Sequence, residues 1–251
     1  MNRVEKSKET YMQLFGETVP AAYSTDPDFQ DILSRFIFGE VFHQGHLDHK
    51  TRELITLVVL ATNQTLPQLK AHVHAALNVG LTPVEIKEAV YQCAPYLGFP
   101  KTLNAVAEIN EVFHARDIAL PLEGQSRVTE ETRFDKGLAA QTELFGDVIA
   151  KMRESAPAGQ QHIQDYLSSF CFGDFYTRGG LDLKTRELLT FCILSALGGA
   201  ESQVKAHVRG NVNVGNDKET LIAAVTHCLP YMGFPRTLNA LACINEIVPE
   251  N

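Results

Sequence analysis

Two pairs of residues in this sequence combine a carboxylate with an imidazole at nearly the same spacing. His72 follows Glu53 by 19 positions, and His207 follows Glu187 by 20 positions. Glutamate and histidine are among the side chains that transfer protons in enzymes, so each pair suits general acid–base catalysis. In a purely structural interpretation, each glutamate stabilises the start of a helix and each histidine is hydrogen-bonded on a helix flank. The spacing alone leaves both interpretations open.

The two pairs lie in the two copies of an internal repeat. The stretch at 47–80 recurs at 181–215, and both copies begin with LDxKTREL and end with NVG. A second motif, PYxGFPxTLNA, occupies 95–105 and recurs at 230–240. Because such matches cover nearly the whole of each half, the chain is interpreted as a tandem duplication. Each glutamate then belongs to the first helix of a helical hairpin, and each histidine belongs to the second.

The rest of each copy must position that hairpin, and its pattern is helical. The segment after Asp48, a good N-cap, is apolar almost all round, which predicts a buried central helix. Pro67 and Gly80 suit the start and the end of the second hairpin helix. Apolar spacing predicts further helices at 3–15 and 28–42. Since no alternating strand pattern bounded by hairpin turns is visible, the predicted fold class is all-α.

The join between the copies lies in a polar segment. Pro121 and Gly124 fall within it, as such residues do in linkers. We therefore predict a first helical domain at 1–115, a linker at 116–133 and a second helical domain at 134–251.

Composition narrows the class of protein. The net charge of -8 argues against nucleic-acid binding, which needs clustered lysine and arginine. The polar start of the chain lacks the apolar run of a signal peptide, and no stretch is apolar for long enough to span a bilayer. The expectation is a cytoplasmic protein with neither a membrane nor a nucleic acid as its partner.

The five cysteines predict neither a disulfide framework nor a redox motif. Their number is odd and no two are spaced as C-x-x-C. In a chain without a secretion signal, such residues are interpreted as free thiols that pack as small apolar side chains. They are Cys93, Cys171, Cys192, Cys228 and Cys243.

A cluster of histidines precedes the first central helix but does not repeat. His43, His46 and His49 stand close together in sequence, as metal ligands do. A duplicated metal site would keep its ligands in both copies, so no bound metal is predicted. The corresponding positions of the second copy hold Thr177, Gly180 and Leu183.

At LDxKTREL, AHV, NVG and YxGFPxTLNA, the sequence resembles the carboxymuconolactone decarboxylase family in a tandem form. The resemblance covers about 30–110 and about 164–245, and it implies two AhpD-like helical bundles. The AhpD-like peroxidase branch carries Glu-x11-Cys-x2-Cys-x3-His. A peroxidatic mechanism needs an attacking and a resolving thiol, so the missing cysteines disfavour a redox protein of that type. The residues at the cysteine positions are Thr65, Gln68, Ala200 and Gln203.

The decarboxylase branch implies a carboxy-lyase that needs no cofactor. Its substrate would be a small carboxylated lactone or a related oxo acid from aromatic-compound catabolism. The resemblance assigns proton donation to Glu53 and Glu187, and stabilisation of the developing oxyanion to His72 and His207. Substrate binding is assigned to Arg52, Arg178, Arg186, Tyr96 and Tyr231, although the tyrosines also suit a purely structural role in the core.

The copies differ ahead of the central helix. The second copy reads FYTRGGLD, close to the family pattern, whereas the first has Gln44 where Arg178 stands. We therefore expect the second site to be the more complete one and the first to be degenerate.

Family members with one domain assemble as rings of dimers, which implies that the fused chain replaces a dimer and forms a homotrimer. Two alternatives remain beside the lyase. One is a redox protein that uses isolated cysteines such as Cys93 and Cys228. The other is a non-catalytic oligomer that binds a small acid.

Overall fold

The computed structural model describes residues 1–16 and 25–250, and within them the fold is built from helices without a strand. The predicted all-α class is therefore confirmed. The first copy comprises α1 (Arg3–Phe15), α2 (Pro27–Ile37), a 3₁₀ turn (Val41–His43), α3 (His49–Asn63), α4 (Leu66–Asn78), α5 (Pro83–Tyr91), α6 (Ala94–Leu97) and α7 (Phe99–Ala115).

The second copy repeats this order from the linker onward. Its last helix, α13, is one helix where the first copy has α5, α6 and α7. It is kinked at Gly233, where φ is 78°. Gly98 has nearly the same conformation, with φ 79°, so the GFP motif interrupts regular helix in both copies. The elements are α8 (Arg133–Phe145), α9 (Val148–Glu154), a 3₁₀ turn (Ala158–Gln160), α10 (Gln161–Tyr166), a π-helical segment (Leu167–Tyr176), α11 (Leu183–Leu197), α12 (Glu201–Asn213) and α13 (Lys218–Ile247).

One sequence-based boundary is wrong. The helix predicted at 28–42 ends at Ile37, and a separate turn follows. At Gly39 the backbone of α1 passes so close that a Cβ atom would lie 2.2 Å from the carbonyl oxygen of Arg3. The equivalent Gly173 has the same close approach, with a Cβ atom 2.3 Å from the carbonyl oxygen of Arg133, and there the helical segment continues to Tyr176, so the crossing alone does not end α2.

The central helices α3 and α11 form the core. Asp48 and Asp182 cap them by accepting hydrogen bonds from the backbone N–H groups of Thr51 and Thr185. Nearly every residue of α3 from Arg52 onward is buried, as its all-round apolar sequence predicts. Buried apolar side chains of α3 and α11 belong to one continuous cluster. The two copies are thus packed into a shared interior, which allows side chains of one copy to reach the functional residues of the other.

Two further properties bear on function. Each of the five cysteines is a buried free thiol, as predicted. Within residues 1–16 and 25–250, no helix combines the length and the hydropathy that crossing a bilayer requires.

Candidate active site

Both predicted pairs are hydrogen-bonded inside the protein. Nδ1 of His72 lies 2.8 Å from Oε2 of Glu53, and Nδ1 of His207 lies 2.6 Å from Oε1 of Glu187. Both glutamates are 0% exposed, whereas the histidines are 7% and 8% exposed. Each carboxylate is therefore shielded from bulk solvent, and the imidazole is its more accessible partner. Such an arrangement can move a proton between a bound molecule and a group that water does not reach.

The helical hairpin accounts for each contact. Glu53 lies in the first half of α3 and His72 lies in the middle of α4. These two helices are antiparallel neighbours joined by a short turn at Gln64, whose left-handed backbone, with φ 57°, ends α3. The helices α11 and α12 repeat the arrangement, and they tolerate the extra residue between Glu187 and His207 because it falls in their connection.

The tyrosine beside each pair comes from the other copy. Tyr231, on α13, meets His72 edge to face, with 5.8 Å between the ring centroids. Tyr96, on α6, meets His207 in the same way at 6.0 Å. Burial raises the pKa of the Tyr231 phenol, and the negative charge of Glu53 raises it further. Neither candidate site is complete within a single copy.

In the second site, hydroxyl groups surround the carboxylate. The phenol of Tyr176 donates a hydrogen bond of 3.0 Å to Oε2 of Glu187. Its oxygen also lies 2.8 Å from Oγ1 of Thr190 and 2.9 Å from the phenolic oxygen of Tyr96. Burial, followed by the charge of Glu187, holds the pKa of Tyr176 well above its ordinary value. Both oxygens of Glu187 are therefore engaged by the protein itself.

The first site lacks this hydroxyl, since Phe42 aligns with Tyr176 when FHQG is matched to YTRG. Oε1 of Glu53 and the phenolic oxygen of Tyr231 are both buried, and neither has a hydrogen-bond partner among the residues that the structure describes. A buried acceptor and a buried donor left unpaired each cost on the order of 1–3 kcal/mol. In the first site, Oε1 of Glu53 can therefore accept a hydrogen bond from a bound molecule, and the phenol of Tyr231 can donate one.

The three predicted substrate-binding arginines are engaged by the protein. Arg52 is buried and donates to the backbone carbonyls of Gln44 and Leu47, which hold the loop ahead of α3. Arg186 is also buried and donates to Oε2 of Glu88 at 2.8 Å. Arg178 chelates the same carboxylate, but its side chain remains 21% exposed. Of the three, Arg178 is the one that a ligand can reach without opening the core.

Further polar residues that the sequence did not single out contact the buried arginines, and in the second site they connect Arg186 to Glu187. His227 lies between Arg52 and Thr56, with its Nδ1 3.4 Å from Nη1 of the arginine and its Nε2 2.9 Å from Oγ1 of the threonine. Burial and the Arg52 charge keep the pKa of His227 well below its ordinary value. In the second site the corresponding residues are Arg186, Gln92 and Thr190, with Gln92 coming from the first copy.

Gly210 is a further residue that the sequence analysis missed. A Cβ atom built there would lie 2.3 Å from Oε1 of Glu187, so the carboxylate occupies the space that a side chain would need. The first copy has Ala75 at this position. A difference between the copies at a small residue was the signal available in the sequence.

The histidines considered as metal ligands form other contacts. Nε2 of His43 lies 3.2 Å from Oγ1 of Thr10, and Nε2 of His46 lies 3.1 Å from Oγ1 of Thr220. In the part of the chain that the structure describes, no cluster of three or more histidine, cysteine, aspartate or glutamate side chains suits a metal ion.

Comparison with solved structures supports the fold. A crystal structure of a provisionally assigned gamma-carboxymuconolactone decarboxylase subunit from Burkholderia xenovorans LB400 superposes with a TM-score of 0.57. The superposition covers 96% of this chain and 95% of that one at 20% sequence identity. This likeness extends across both copies and concerns the fold alone.

Characterised relatives are decarboxylases. The chain is 31% identical to 4-carboxymuconolactone decarboxylase of Acinetobacter baylyi over 121 residues, which are 48% of this chain and 90% of the relative. It is 34% identical to nitrosuccinic acid decarboxylase of Metarhizium robertsii over 77 residues, which are 31% of this chain and 54% of the relative.

The family assignment rests on two matches along the chain. The model of the carboxymuconolactone decarboxylase family matches residues 27–111 and again residues 161–246. Both Glu/His pairs lie inside the matched segments. The chain therefore belongs to the carboxymuconolactone decarboxylase family, with the family domain present twice.

Proposed function

We propose that this protein is a cofactor-free carboxy-lyase of the carboxymuconolactone decarboxylase type. Its proposed substrate is a small carboxylated lactone or a related oxo acid from aromatic-compound catabolism. The observation that carries this proposal is the buried Glu/His pair, hydrogen-bonded at 2.8 Å in one copy and at 2.6 Å in the other. Two characterised relatives with decarboxylase activity support the same reaction class.

The proposed reaction moves one electron pair and one proton. The bond between the ring carbon and its carboxylate breaks, carbon dioxide leaves, and the electron pair passes into the conjugated carbonyl as a dienolate. His72 or His207 stabilises the developing oxyanion by hydrogen bonding. Glu53 or Glu187 delivers the proton to carbon, and the hydrogen bond to the imidazole allows that proton to be replaced.

Substrate orientation is proposed to involve residues of both copies. Among the described residues, the phenol of Tyr231 has no hydrogen-bond partner, and it lies beside the Glu53 pair, where it can donate to a substrate oxygen. Tyr96 lies beside the His207 pair, and its hydroxyl would have to leave its 2.9 Å contact with Tyr176 to do the same. The substrate carboxylate is proposed to be attracted only by the charge of three arginines, each of which is hydrogen-bonded to other groups of the protein: Arg52, Arg178 and Arg186.

The test uses single and double variants of the proposed proton donors. Glu53→Gln, Glu187→Gln and the double variant are assayed for turnover of 4-carboxymuconolactone and, separately, of nitrosuccinate. Removing a general acid lowers the rate by roughly 10²–10⁴-fold, so the double variant should lose activity by about that factor. Glu143→Gln, on the exposed surface of α8, is the matched control. Full activity in the double variant, or substrate binding without turnover in the parent, would reject the lyase proposal.

The redox alternative has less support. Cys93 is buried, and burial raises the pKa of its thiol above the ordinary value. Burial likewise raises the pKa of Cys171 to about 12. A reactive cysteine needs an accessible thiolate, which these surroundings disfavour.

We also propose that the chain assembles as a homotrimer that is equivalent to a ring of six domains. Exposed apolar side chains occur at matching positions of the two copies, as expected of a surface that is repeated around a ring. One such pair of positions is Leu103 on α7 and Leu238 on α13. The others are Phe29 with Ile163, Ile32 with Tyr166, and Phe99 with Phe234.

Light scattering of the parent should give three times the mass of the chain. The double variant Leu103→Glu, Leu238→Glu places charge on both surfaces and should give the monomer mass. A parent that is monomeric at micromolar concentration would reject the trimer.

A further inference from the structure

A cavity of about 430 Å³ lies between α5, α7 and the linker segment at 120–125. It is separate from the Glu/His pairs, because none of the four paired residues lines it. Its volume falls in the range of pockets that hold small ligands, about 300–1,000 Å³.

The first feature of this cavity is a buried lysine without a carboxylate partner. Lys87, on α5, is 5% exposed, and the hydrogen bond it makes is to Oδ1 of Asn110. The rings of Tyr91 and Phe113 lie within 6 Å of its Nζ atom, at 5.9 and 5.7 Å. An ammonium group has three N–H donors, so hydrogen-bonding capacity remains. Burial lowers the pKa of Lys87 to about 8, as expected of a cation that lacks a countercharge.

The second feature is an excess of positive charge around Glu88. This carboxylate is shared by two guanidinium groups, because Arg178 and Arg186 both donate to it. At the cavity wall itself, Lys87 and Arg178 stand beside Glu88 and the exposed Glu123, while the buried Arg186 neutralises Glu88 from behind the wall. Nη1 of Arg178 makes no hydrogen bond to the described protein, and its guanidinium stacks on Tyr91 at 5.6 Å. The cavity therefore suits an anion.

The third feature is the apolar remainder of the wall. Val84, Val106, Leu120 and Leu122 face the same space. An inorganic anion would leave these side chains without a partner, whereas an organic acid would bury its carbon skeleton against them. The ligand that matches both parts of the wall has a carboxylate head and a compact apolar body.

The duplication does not explain these residues, because the equivalent positions on the other side of the molecule lack them. A residue kept only for packing between the copies would be expected on both sides of the molecule. The positions equivalent to Lys87, Glu88, Tyr91 and Arg178 hold Ile222, Ala223, Thr226 and Gln44.

We propose that the cavity between α5, α7 and the linker binds a small organic carboxylate, held by Lys87 and Arg178, at a site distinct from the Glu/His pairs. The proposal does not rest on the lyase function. Hydrogen bonds nevertheless connect the cavity to the second pair, so that an occupant of the cavity can influence Glu187. The chain of contacts runs from Glu88 through Arg186, Gln92, Thr190 and Tyr176 to Glu187.

The experiment is a titration of 4-fluorobenzoate into the full chain at pH 7, followed by ¹⁹F NMR. The parent should bind the probe saturably, and 4-fluorobenzamide, which has the same shape without the charge, should not compete. Lys87→Gln should weaken binding by about tenfold or more, because it removes a charge-assisted hydrogen bond. Lys101→Gln, an exposed lysine on α7, should leave binding unchanged.

Two additional variants keep the proposal open to refutation if Lys87→Gln does not fold. Val106→Trp fills the cavity from its apolar wall without changing any charge, and it should abolish binding. His207→Gln alters a Glu/His pair and should retain binding. The proposal is overturned if Val106→Trp binds normally, if His207→Gln loses binding, or if inorganic phosphate displaces the probe at equal concentration.

Discussion

The phenol of Tyr176 donates a 3.0 Å hydrogen bond to Oε2 of Glu187. The carboxylate of the second site is thereby fixed between this hydroxyl and His207. In the first site Phe42 stands in place of the tyrosine, and Oε1 of Glu53 is buried without a partner. The two sites share their Glu/His pair and differ in the hydrogen bonding of the carboxylate, which leads to distinct expectations for each.

Tyr176→Phe should destabilise the protein by about 1–3 kcal/mol. The change removes the hydroxyl that donates to Glu187, and it also leaves the hydroxyl of Thr190 without this hydrogen-bond partner. Phe42→Tyr is the matched change in the other copy and offers a donor to Glu53. It should cost less than Tyr176→Phe, or stabilise the fold. Urea unfolding followed by circular dichroism measures both, and equal losses would contradict the assigned hydrogen bonds.

Gly210→Ala should destabilise the protein although alanine ordinarily favours a helix by about 1 kcal/mol over glycine. The added Cβ atom would lie 2.3 Å from Oε1 of Glu187 and would force that oxygen away from His207. We expect a net loss of about 1–2 kcal/mol, at the low end of the cost of overpacking a core. Activity should fall only in the second site, as measured in a Glu53→Gln background. A gain in stability would show that the carboxylate moves without cost.

The exchange of tyrosines between copies predicts which variants affect which site. In a Glu187→Gln background only the first site operates, and Tyr231→Phe should lower kcat/KM while Tyr96→Phe should not. In a Glu53→Gln background only the second site operates. There Tyr96→Phe should lower kcat/KM, and Tyr231→Phe should not. A lost hydrogen bond to the reacting substrate corresponds to roughly tenfold in kcat/KM. Equal effects in both backgrounds would contradict the composite sites.

Lys87→Met should stabilise the protein at pH 7, and the gain should shrink at high pH. Burial lowers the pKa of Lys87 from 10.5 to about 8 in the folded state. Between these values the unfolded chain binds more protons, so the lysine's contribution to the free energy of unfolding rises with pH. Well below pH 8 the parent carries the full penalty of a buried charge, on the order of 3 kcal/mol. Chemical denaturation of the parent and of Lys87→Met at pH 7 and pH 10 should show the difference narrowing, and Lys101→Met supplies the exposed control.

Sequence reasoning was most successful where the cause is local. Asp48 caps α3 because its side chain accepts from a backbone N–H three residues later, and the apolar run after it has to be buried. The GFP motif breaks the chain at Gly98 and Gly233 because both glycines adopt a positive φ. The helix predicted at 28–42 was too long, because the last part of its apolar pattern belongs to a separate 3₁₀ turn, Val41–His43.

The expected ranking of the two sites rested on Arg178 and Gln44. Arg178 forms an ion pair with Glu88, while the position equivalent to Glu88 holds Ala223. The arginine and its carboxylate partner are therefore present together on one side of the molecule and absent together on the other. Both Glu/His pairs are formed in the structure, and the ranking of their activities stays a prediction.

The sequence by itself determined the duplication, the helical class, the family and the four residues of the two pairs, because each follows from motifs and from local periodicity. Only the tertiary structure decided that Tyr231 lies against His72 and Tyr96 against His207, that Tyr176 binds Glu187, and that Lys87 faces a cavity. Tyr96 and Tyr176 are 80 positions apart, and Arg52 and His227 are 175 apart. Contacts of this kind depend on how α3 and α11 pack in a shared core, and no local spacing encodes that packing.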